Sequence, residues 1–511
     1  MSGQGRAFSV AIEGVVGRMV EVEADIGASL PGFVLLGLPD ASLLEAKERI
    51  RAAVRHVGHP LPARKITVNL LPAGMPKRGP GFDLAIVAAT LQAQGEIRPS
   101  GKTVFLGELT LDGRLRPIGG VLPAVLAAVK AGHTAIICPR ANHAEAALVP
   151  GAEVASFDSL DQVLAVFGSD RVRPEPVSPR PAPAEVSSGA EAADFAEVLG
   201  QPEACRAALV AAAGGHHLLL AGPPGVGKTM IAERLPGILP ELSPQEALEV
   251  SAVHSASGLG FREGLLRTPP FERPHHTATA AALLGGGSGW VRPGAASRAH
   301  RGVLFLDEAC EFQRNVIDAL RQPLESGVIR VDRARFSVEL PAAFQLVMAT
   351  NPCPCGMQGA EGRTCTCTSL MRRRYLGRLS GPVLDRIDVR VALRPPAESL
   401  LDGPGAAMTS AEARASVAAA RKRAQARLLD LGHEANALVS GRDLRGPLRL
   451  PREATEVLDR ALASGLVSPR GYDRILRVAW TIADLDGESQ PGAEQVAEAG
   501  LLREAEGVSL G

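Results

Sequence analysis

A glycine-rich octapeptide, GPPGVGKT, follows a short apolar run and precedes a helical pattern. Its spacing matches the phosphate-binding loop, in which glycines let successive backbone N–H groups point at an anion. The start of the next helix adds the positive end of its dipole. We expect Lys228 to reach the β- and γ-phosphates of ATP and the Thr229 hydroxyl to hold Mg²⁺. The candidate nucleotide-binding residues are Gly222, Pro223, Pro224, Gly225, Val226, Gly227, Lys228 and Thr229.

Two later apolar segments end in polar residues, in the order that a hydrolytic nucleotide site requires. Residues 303–306 are followed by Asp307 and Glu308, which predicts a buried strand that presents an acidic pair. We expect Asp307 to position Mg²⁺ through water and Glu308 to orient and deprotonate the attacking water. The segment FQLVMATN ends at Asn351, whose amide can touch the γ-phosphate or that water.

Two arginines are placed where they could complete this site. Arg386 lies in a short loop before a predicted strand, and its guanidinium could spread positive charge over the phosphoryl oxygens of a neighbouring subunit's nucleotide. Such action between subunits requires a ring or a filament. Arg470 begins a predicted helix over Ser468 to Gly487, and Arg474, one turn later, is the alternative.

Four of the seven cysteines form two Cys-x-Cys pairs that are nine residues apart. Glycine and polar residues between the pairs predict a loop, in which four thiolates could converge on one tetrahedral Zn²⁺. Free thiols are the alternative, because the common Cys-x-x-Cys spacing is absent. The candidate metal ligands are Cys353, Cys355, Cys365 and Cys367.

Composition limits the classes of function. A chain of 511 residues predicts two to four domains, and a formal net charge of +0 restricts nucleic-acid binding to local basic patches. Aromatic residues make up only 3%, which excludes extensive ring stacking as the main mode of binding. The sequence contains neither an apolar run of transmembrane length nor a signal-peptide pattern, so we expect a cytoplasmic protein without a membrane partner.

Changes in composition along the chain predict an α/β multidomain protein. Residues 1–168 mix short strands with helices, and residues 169–190 form a Pro-rich linker. Residues 191–396 carry the phosphate loop and the cysteine-rich insertion, so we expect an α/β ATPase core there. Residues 397–511 predict a helical lid, including one long helix near 410–432 with its Arg and Lys side chains exposed.

The first domain resembles the Lon-type protease domain in the stretches PAGMPKRGPGFDLAI and LGELTLDGRLRPIGG. Lon-type proteases use a Ser nucleophile and a Lys base, but this chain has Gly81 and Leu122 at those positions. We therefore expect no peptidase activity and a scaffold or DNA-facing role. Lys65, Lys77 and Arg78 could contact a phosphate backbone there, or they could form an ordinary solvated surface.

Seven ordered motifs extend the resemblance over nearly the whole chain: PHHTAT, LLGGGSGWVRPG, LDEACEF, RQPLESG, ATNPCPCG, LSGPVLDRID and TIADLDG. Together they resemble the ComM/YifB-type proteins, which are AAA+ relatives of the magnesium-chelatase ATPase subunit. The resemblance implies a hexameric DNA motor for branch migration during homologous recombination or natural transformation. Asn351, Arg386 and Arg470 take its sensor 1, arginine-finger and sensor 2 positions. Glu272, in PPFER, departs from the more basic run of the family.

The resemblance also indicates where branched or single-stranded DNA would bind. Residues 327–340 predict two short strands, and in the related ATPases a hairpin before sensor 1 lines the central pore. A solvated hairpin tip is the alternative. Trp290 is either a second residue of the pore or a packing residue. We expect the side chains of the adjacent His275 and His276 to diverge. The candidate DNA-binding residues are Arg330, Arg333 and Arg335.

A second class of function also fits the motor motifs. A chelatase-like or protein-remodelling ATPase, acting on a protein partner, would need the same ATP and Mg²⁺ chemistry. An active Lon-type protease is disfavoured by Gly81 and Leu122. Stimulation of ATP turnover by branched DNA would distinguish the DNA motor from the protein remodeller.

Overall fold

The computed structural model describes residues 3–37, 40–75, 77, 80–168, 193–258, 264–287, 291–333, 336–358, 364–395 and 408–503. The predicted linker 169–190 lies outside these ranges. So do Arg78, Trp290 and Arg335, together with the side chain of Arg333.

The N-terminal segment forms a mixed seven-stranded sheet in the order β3-β4-β2-β1-β5-β8-β9. Strand β2 alternates buried and accessible residues, as expected of a strand with one face on the core, whereas α2 is buried at nearly every position. The strands are β1 Gly3–Glu13, β2 Val16–Gly27, β3 Gly32–Leu36, β4 Lys65–Leu71, β5 Val104–Phe105, β6 Glu108–Leu109, β7 Leu115–Arg116, β8 Ala135–Pro139 and β9 Glu153–Phe157. The helices are α1 Asp40–His56, α2 Asp83–Gln94, α3 Val121–Lys130, α4 His143–Ala146 and α5 Leu160–Val166.

The middle segment builds a five-stranded parallel sheet in the order β11-β14-β17-β10-β18. Both β10 and β14 are buried throughout, which explains their continuous apolar sequences. The strands are β10 Leu218–Ala221, β11 Phe271–Glu272, β12 Gly285–Gly286, β13 Arg292–Pro293, β14 Val303–Leu306, β15 Val328–Arg333, β16 Phe336–Pro341, β17 Gln345–Thr350 and β18 Val389–Ala392. The helices are α6 Pro202–Gly214, α7 Lys228–Ile238, α8 Pro244–Ser257, α9 Ala280–Leu284, α10 Ala295–Arg298, α11 Arg314–Asp318, α12 Arg321–Ser326, α13 Ser369–Leu376 and α14 Gly381–Leu384.

The C-terminal segment is helical and shares one hydrophobic core with a face of the parallel sheet. One buried apolar face belongs to the helix that begins after Ser468, whose side chain accepts the Gly471 N–H as an N-cap. The helices are α15 Ser410–Leu428, α16 Gly441–Arg445, α17 Arg452–Ala463, α18 Pro469–Asp486 and α19 Ala493–Leu501. None of the helices in the described ranges has the length and apolar content needed to cross a bilayer.

The N-terminal sheet contacts the middle segment at one end. The β1–β2 turn approaches β16 so closely that a Cβ on Gly14 would lie 2.5 Å from Val338 Cγ1, and Gly14 also has a positive φ of 65°. Helix α3 packs against α8, where the Gly120 N–H donates to the Ser255 carbonyl over 3.2 Å. One end of the first domain is therefore fixed beside the β15–β16 hairpin and α8.

Candidate nucleotide site and cysteine cluster

The glycine-rich loop lies between β10 and α7, as its sequence predicts. Gly225 and Gly227 have φ values of 84° and 92°, which only glycine adopts without strain. A Cβ on either residue would meet nothing within 4 Å, so the backbone angle and not space requires glycine here. The first turn of α7 begins at Lys228, and its free N–H groups face the loop.

Lys228 is held by three oxygen atoms of the loop region. Its Nζ donates to the carbonyls of Gly222 at 2.6 Å and Pro223 at 2.8 Å, and to Asn351 Oδ1 at 3.0 Å. Burial lowers the pKa of the ammonium group to about 8. The amide of Asn351, directly after β17, therefore contacts Lys228. The contact is possible because β17 lies parallel to β10 and next to it in the sheet.

The acidic pair follows β14 directly. Thr229 Oγ1 donates to Asp307 Oδ2 over 3.1 Å, which joins the two residues expected to hold Mg²⁺. Glu308 has φ 50° and ψ 47°, a left-handed conformation that is costly for a residue with a side chain. About half of its side chain is exposed, so its carboxylate remains open to water and substrate.

A loop that sequence reasoning missed contacts both acidic residues. Arg273 follows β11 and donates from Nη2 to Asp307 Oδ2 at 2.6 Å and from Nη1 to Glu233 at 2.9 Å. His276 Nδ1 lies 3.3 Å from Glu308 Oε2. The signal available beforehand was a basic residue at the end of the short strand in PPFER. Only the pairing of β11 with β14 shows which carboxylate it reaches.

The histidine pair corrects one expectation. The rings of His275 and His276 do not diverge, because their centroids lie 4.2 Å apart with the planes inclined by 32°. His275 instead contacts Thr277 Oγ1 at 2.8 Å. Glu272, which departs from the basic family run, accepts two hydrogen bonds from Arg298 at 2.7 and 3.0 Å and so serves the local packing.

The predicted finger and sensor arginines lie in different surroundings. Arg386, between α14 and β18, forms an ion pair with Glu325 and donates to the Pro382 carbonyl. Arg470 is exposed in the first turn of α18. Arg474 forms an ion pair with the buried Asp388, which anchors the helix to the start of β18. The hydrogen bonds and ion pairs of Arg386 and Arg474 therefore go to groups outside the loop region.

The predicted hairpin is present, with β15 and β16 paired antiparallel from Val328 to Arg333. Arg330 pairs across it with Glu339, and both side chains are more than half exposed. This exposed ion pair is weak in water, so Arg330 can exchange Glu339 for another anion.

The four cysteines come together after Asn351. Sulfur atoms of Cys353, Cys355 and Cys365 lie 3.4 to 3.7 Å apart, and all four sulfurs, with that of Cys367, lie within 4.8 Å of one another. All four are thiols and not disulfides. The backbone N–H of Met357, followed by the Cys353 thiol, lowers the pKa of Cys355 to about 6.

The cysteine loop also touches the phosphate loop. Gly356 has φ 74°, and a Cβ there would lie 2.8 Å from both Cδ and Cγ of Pro224. Because Cys353 is two residues after Asn351, the cluster borders the nucleotide site on two sides. Movement of the cysteines would be transmitted to Pro224 and Asn351.

One of the two Lon-like positions, Leu122, lies in a packed interior, whereas Gly81 is only partly buried. Leu122 is 1% exposed within α3, and its N–H donates to Glu145 Oε1 at 3.3 Å. Lys77 is buried and donates to the carbonyls of Pro72 and Met75, which contradicts its predicted contact with a phosphate backbone. Gly81 lies in the short turn before α2.

The parallel sheet, with the glycine-rich loop between β10 and α7, is consistent with an AAA+-type phosphate-loop fold. Three family models match in succession: "Subunit ChlI of Mg-chelatase" over residues 22–142, "Magnesium chelatase, subunit ChlI" over 194–400, and "Magnesium chelatase, subunit ChlI C-terminal" over 407–503.

Similar proteins cover almost the entire chain. An uncharacterized protein of Mycobacterium tuberculosis is 49% identical over 512 residues, with 98% of each chain covered. Competence protein ComM of Haemophilus influenzae is 40% identical, with 96% of each chain covered. YifB of Escherichia coli is 40% identical over 93% of this chain and 92% of its own. A Lon protease of Mycolicibacterium smegmatis is 31% identical over only 31% of this chain and 20% of its own. The chain therefore belongs to the ComM/YifB family of magnesium-chelatase-like AAA+ proteins.

Proposed function

We propose that this chain is an ATP-driven DNA motor that assembles into a hexameric ring and promotes branch migration during homologous recombination or natural transformation. The observation that carries the proposal is the exposed Arg330 on the β15–β16 hairpin, which is inserted between the strand of the acidic pair and the strand of Asn351. Among the relatives, the 40% identity to competence protein ComM supports this proposal.

The residues at the sheet edge have separate tasks in ATP hydrolysis. The loop N–H groups and Lys228 bind and orient the phosphates, and Lys228 must exchange the Gly222 and Pro223 carbonyls for phosphate oxygens. Glu308 accepts a proton from the attacking water, and Asn351 holds that water or the γ-phosphate in position. Glu308 holds a left-handed backbone conformation, which is the kind of local strain that clusters at active sites.

The oxygen atoms available at this site fit Mg²⁺. The Thr229 hydroxyl and the Asp307 carboxylate are already 3.1 Å apart, and hard oxygen donors are those that Mg²⁺ prefers. When bound, Mg²⁺ would neutralise charge on the β- and γ-phosphate oxygens. Arg273 donates to the same Oδ2 atom and so competes with the water through which Asp307 would position Mg²⁺.

The arginines would complete the site from outside the loop. In the proposed ring, Arg386 leaves Glu325 and stabilises the transition state on the neighbouring subunit's ATP. Arg470, exposed at the start of α18, acts as sensor 2 from a helical lid formed by residues 397–511. Residues 1–168 are the inactive Lon-like domain, residues 169–190 the linker and residues 191–396 the ATPase core.

DNA binding is assigned to the hairpin. Arg330 exchanges Glu339 for a backbone phosphate, and Arg333 and Arg335, next along the chain, contribute two further charges. Phosphate contacts of this kind do not depend on the base sequence. A motor that moves along DNA needs contacts that are independent of sequence.

We also propose that the cysteine cluster holds a structural Zn²⁺. Four thiolates at about 2.3 Å from zinc in a tetrahedron place the sulfur atoms about 3.8 Å apart. The measured separations of 3.4 to 3.7 Å are close to that value. The ion would rigidify the loop that touches Pro224.

A chelatase-like or protein-remodelling ATPase is the second candidate, favoured by the magnesium-chelatase family models. ATP turnover measured with and without a four-way DNA junction separates the two. We expect stimulation by the junction, and a smaller response to duplex DNA of equal length. The absence of stimulation by any form of DNA would contradict the motor.

A further inference from the structure

A small basic cleft opens at the end of the N-terminal sheet. Its volume is about 270 Å³, and it lies between the start of β3, the end of α1 and the loop before β4. Its walls include Phe33, Arg51, Arg55, Pro62 and Arg64. Three arginines therefore line one cavity, and none of the described residues that line it carries a carboxylate.

The arginines differ in how firmly they are held. Arg51 Cζ lies 6.0 Å from the centroid of the buried Phe33 ring, and Arg51 Nη1 lies 3.6 Å from the carboxylate of Glu48, which is largely exposed. Such an exposed pair is weak. Arg55 and Arg64 are exposed at the rim. One cation is thus positioned by packing, while the other two are available for a ligand.

The position of the cleft separates it from the ATPase. Gly27 and Gly32 both pair with Lys65, which places the cleft at the far end of β2 from the turn that contacts β16. A strand of 12 residues is roughly 40 Å long. The cleft therefore lies on the outer end of the first domain, accessible to a ligand that does not enter the nucleotide site.

We infer that this cleft binds a backbone phosphate of single-stranded nucleic acid. Guanidinium groups bind the terminal oxygens of a phosphate in pairs, and arginines that line one opening can reach those oxygens from more than one side. The cavity is smaller than the clefts that bury whole drug-sized ligands, so it accepts a phosphate group while the strand continues across the surface. The proposed motor function enters only in the choice of polynucleotide as the phosphate source.

The test uses the full-length chain and a fluorescein-labelled single-stranded oligonucleotide. The variant carries Arg51→Gln, Arg55→Gln and Arg64→Gln, and affinity is measured by fluorescence anisotropy at several salt concentrations. The matched control removes the same charge from Lys102, Arg116 and Lys130, which are exposed in the same domain but do not line the cleft. We expect about a tenfold loss of affinity and a salt slope shallower by about 2 in the cleft variant alone.

Several results would overturn the assignment. Equal losses in the cleft variant and the control would show a general charge effect and no site. Oligonucleotide binding that is unchanged in the cleft variant would contradict the assignment. Binding of pyrophosphate or of an acidic peptide by the parent but not by the cleft variant would then show that the cleft takes a different ligand. If the triple variant fails to fold by circular dichroism, the double variant Arg55→Gln, Arg64→Gln keeps Arg51 on Phe33 and should still lose about fivefold. Failure of wild-type protein to bind any DNA would contradict the motor proposal itself, whereas binding that ignores the cleft variants contradicts only this inference.

Discussion

Arg273 donates a hydrogen bond of 2.6 Å to Asp307 Oδ2, the atom that also accepts from Thr229. In the proposed function, the guanidinium group therefore competes for this carboxylate with the hydrated Mg²⁺ that Asp307 would position. Replacing Arg273 by Ala should lower the Mg²⁺ concentration for half-maximal ATP turnover by about fivefold, because a partly exposed ion pair is worth at most about 1 kcal/mol.

Arg273→Lys serves as the control, since it keeps a cation near Asp307 and should behave nearly as the parent. Titration of Mg²⁺ against the fluorescence of a bound ATP analogue checks the same effect without turnover. An unchanged or higher Mg²⁺ requirement in Arg273→Ala would show that the contact does not compete with the metal.

Glu308→Gln should separate binding from hydrolysis. The amide keeps the size of the side chain but cannot accept a proton, so ATP turnover should fall by about 100-fold or more. Affinity for the fluorescent ATP analogue should stay within about twofold of the parent, because the hydrogen bonds described for Lys228 go to Gly222, Pro223 and Asn351 and not to Glu308. Retention of most turnover would remove Glu308 from the role of general base.

Arg386 offers a test of sites shared between subunits. Arg386→Ala should lose about 1000-fold in ATP turnover, since an arginine finger contributes at least that much. Mixing Arg386→Ala with Lys228→Ala should restore part of the activity, because some interfaces then combine an intact Lys228 with an intact Arg386. A mixture of Arg386→Ala with the double variant Lys228→Ala, Arg386→Ala should remain inactive. Restoration in both mixtures, or in neither, would contradict action between subunits.

The cysteine cluster should contain one zinc per chain. Cys353→Ser with Cys367→Ser should lose the metal, lower the melting temperature and weaken ATP binding, because the loop packs on Pro224. Cys205→Ser, at a single half-buried thiol outside the cluster, should leave the zinc content unchanged. Purified protein that is fully folded and essentially free of zinc would rule out the site.

His300 gives a pH dependence of stability. Burial and, to a lesser extent, the charge of Arg301 lower its pKa from 6.5 to about 4 against the opposing charge of Glu246; Glu249 Oε2 lies 3.7 Å from its Nε2. The neutral ring accepts the Ala343 N–H at 3.1 Å. Its contribution is therefore complete above pH 6.5 and lost as pH falls towards 4, and amounts to about 2 to 3 kcal/mol.

His300→Asn keeps an acceptor near the position of Nδ1 but does not titrate in this range. Urea unfolding between pH 4 and 7 should show a flatter curve for the variant than for the parent. Parallel curves would show that His300 does not contribute to acid destabilisation.

The local elements of the nucleotide site could be predicted because each has a short-range cause. The glycines, the apolar strand and the following helix are encoded within a few residues of Lys228, and the acidic pair follows its strand directly. The hairpin of β15 and β16 was predicted for the same reason, and the structure confirms it.

Contacts that depend on tertiary pairing could not be predicted. The reach of Arg273 to Asp307 requires β11 beside β14, which the sequence does not state. The predicted exposure of the Arg and Lys side chains of α15 was wrong at two positions. Arg421 turns inward to the Ala212 carbonyl, and Arg427 turns inward to Asp484. A polar helix face can thus be buried when other segments supply its acceptors.

Strand exchange on a synthetic four-way junction tests the central claim most directly. The parent protein with ATP and Mg²⁺ should convert the junction to its branch-migrated products, and Lys228→Ala should not, although it folds and still contacts DNA through the β15–β16 hairpin. Conversion at equal rates by both proteins, or by neither while the parent hydrolyses ATP, would contradict an ATP-driven branch-migration motor.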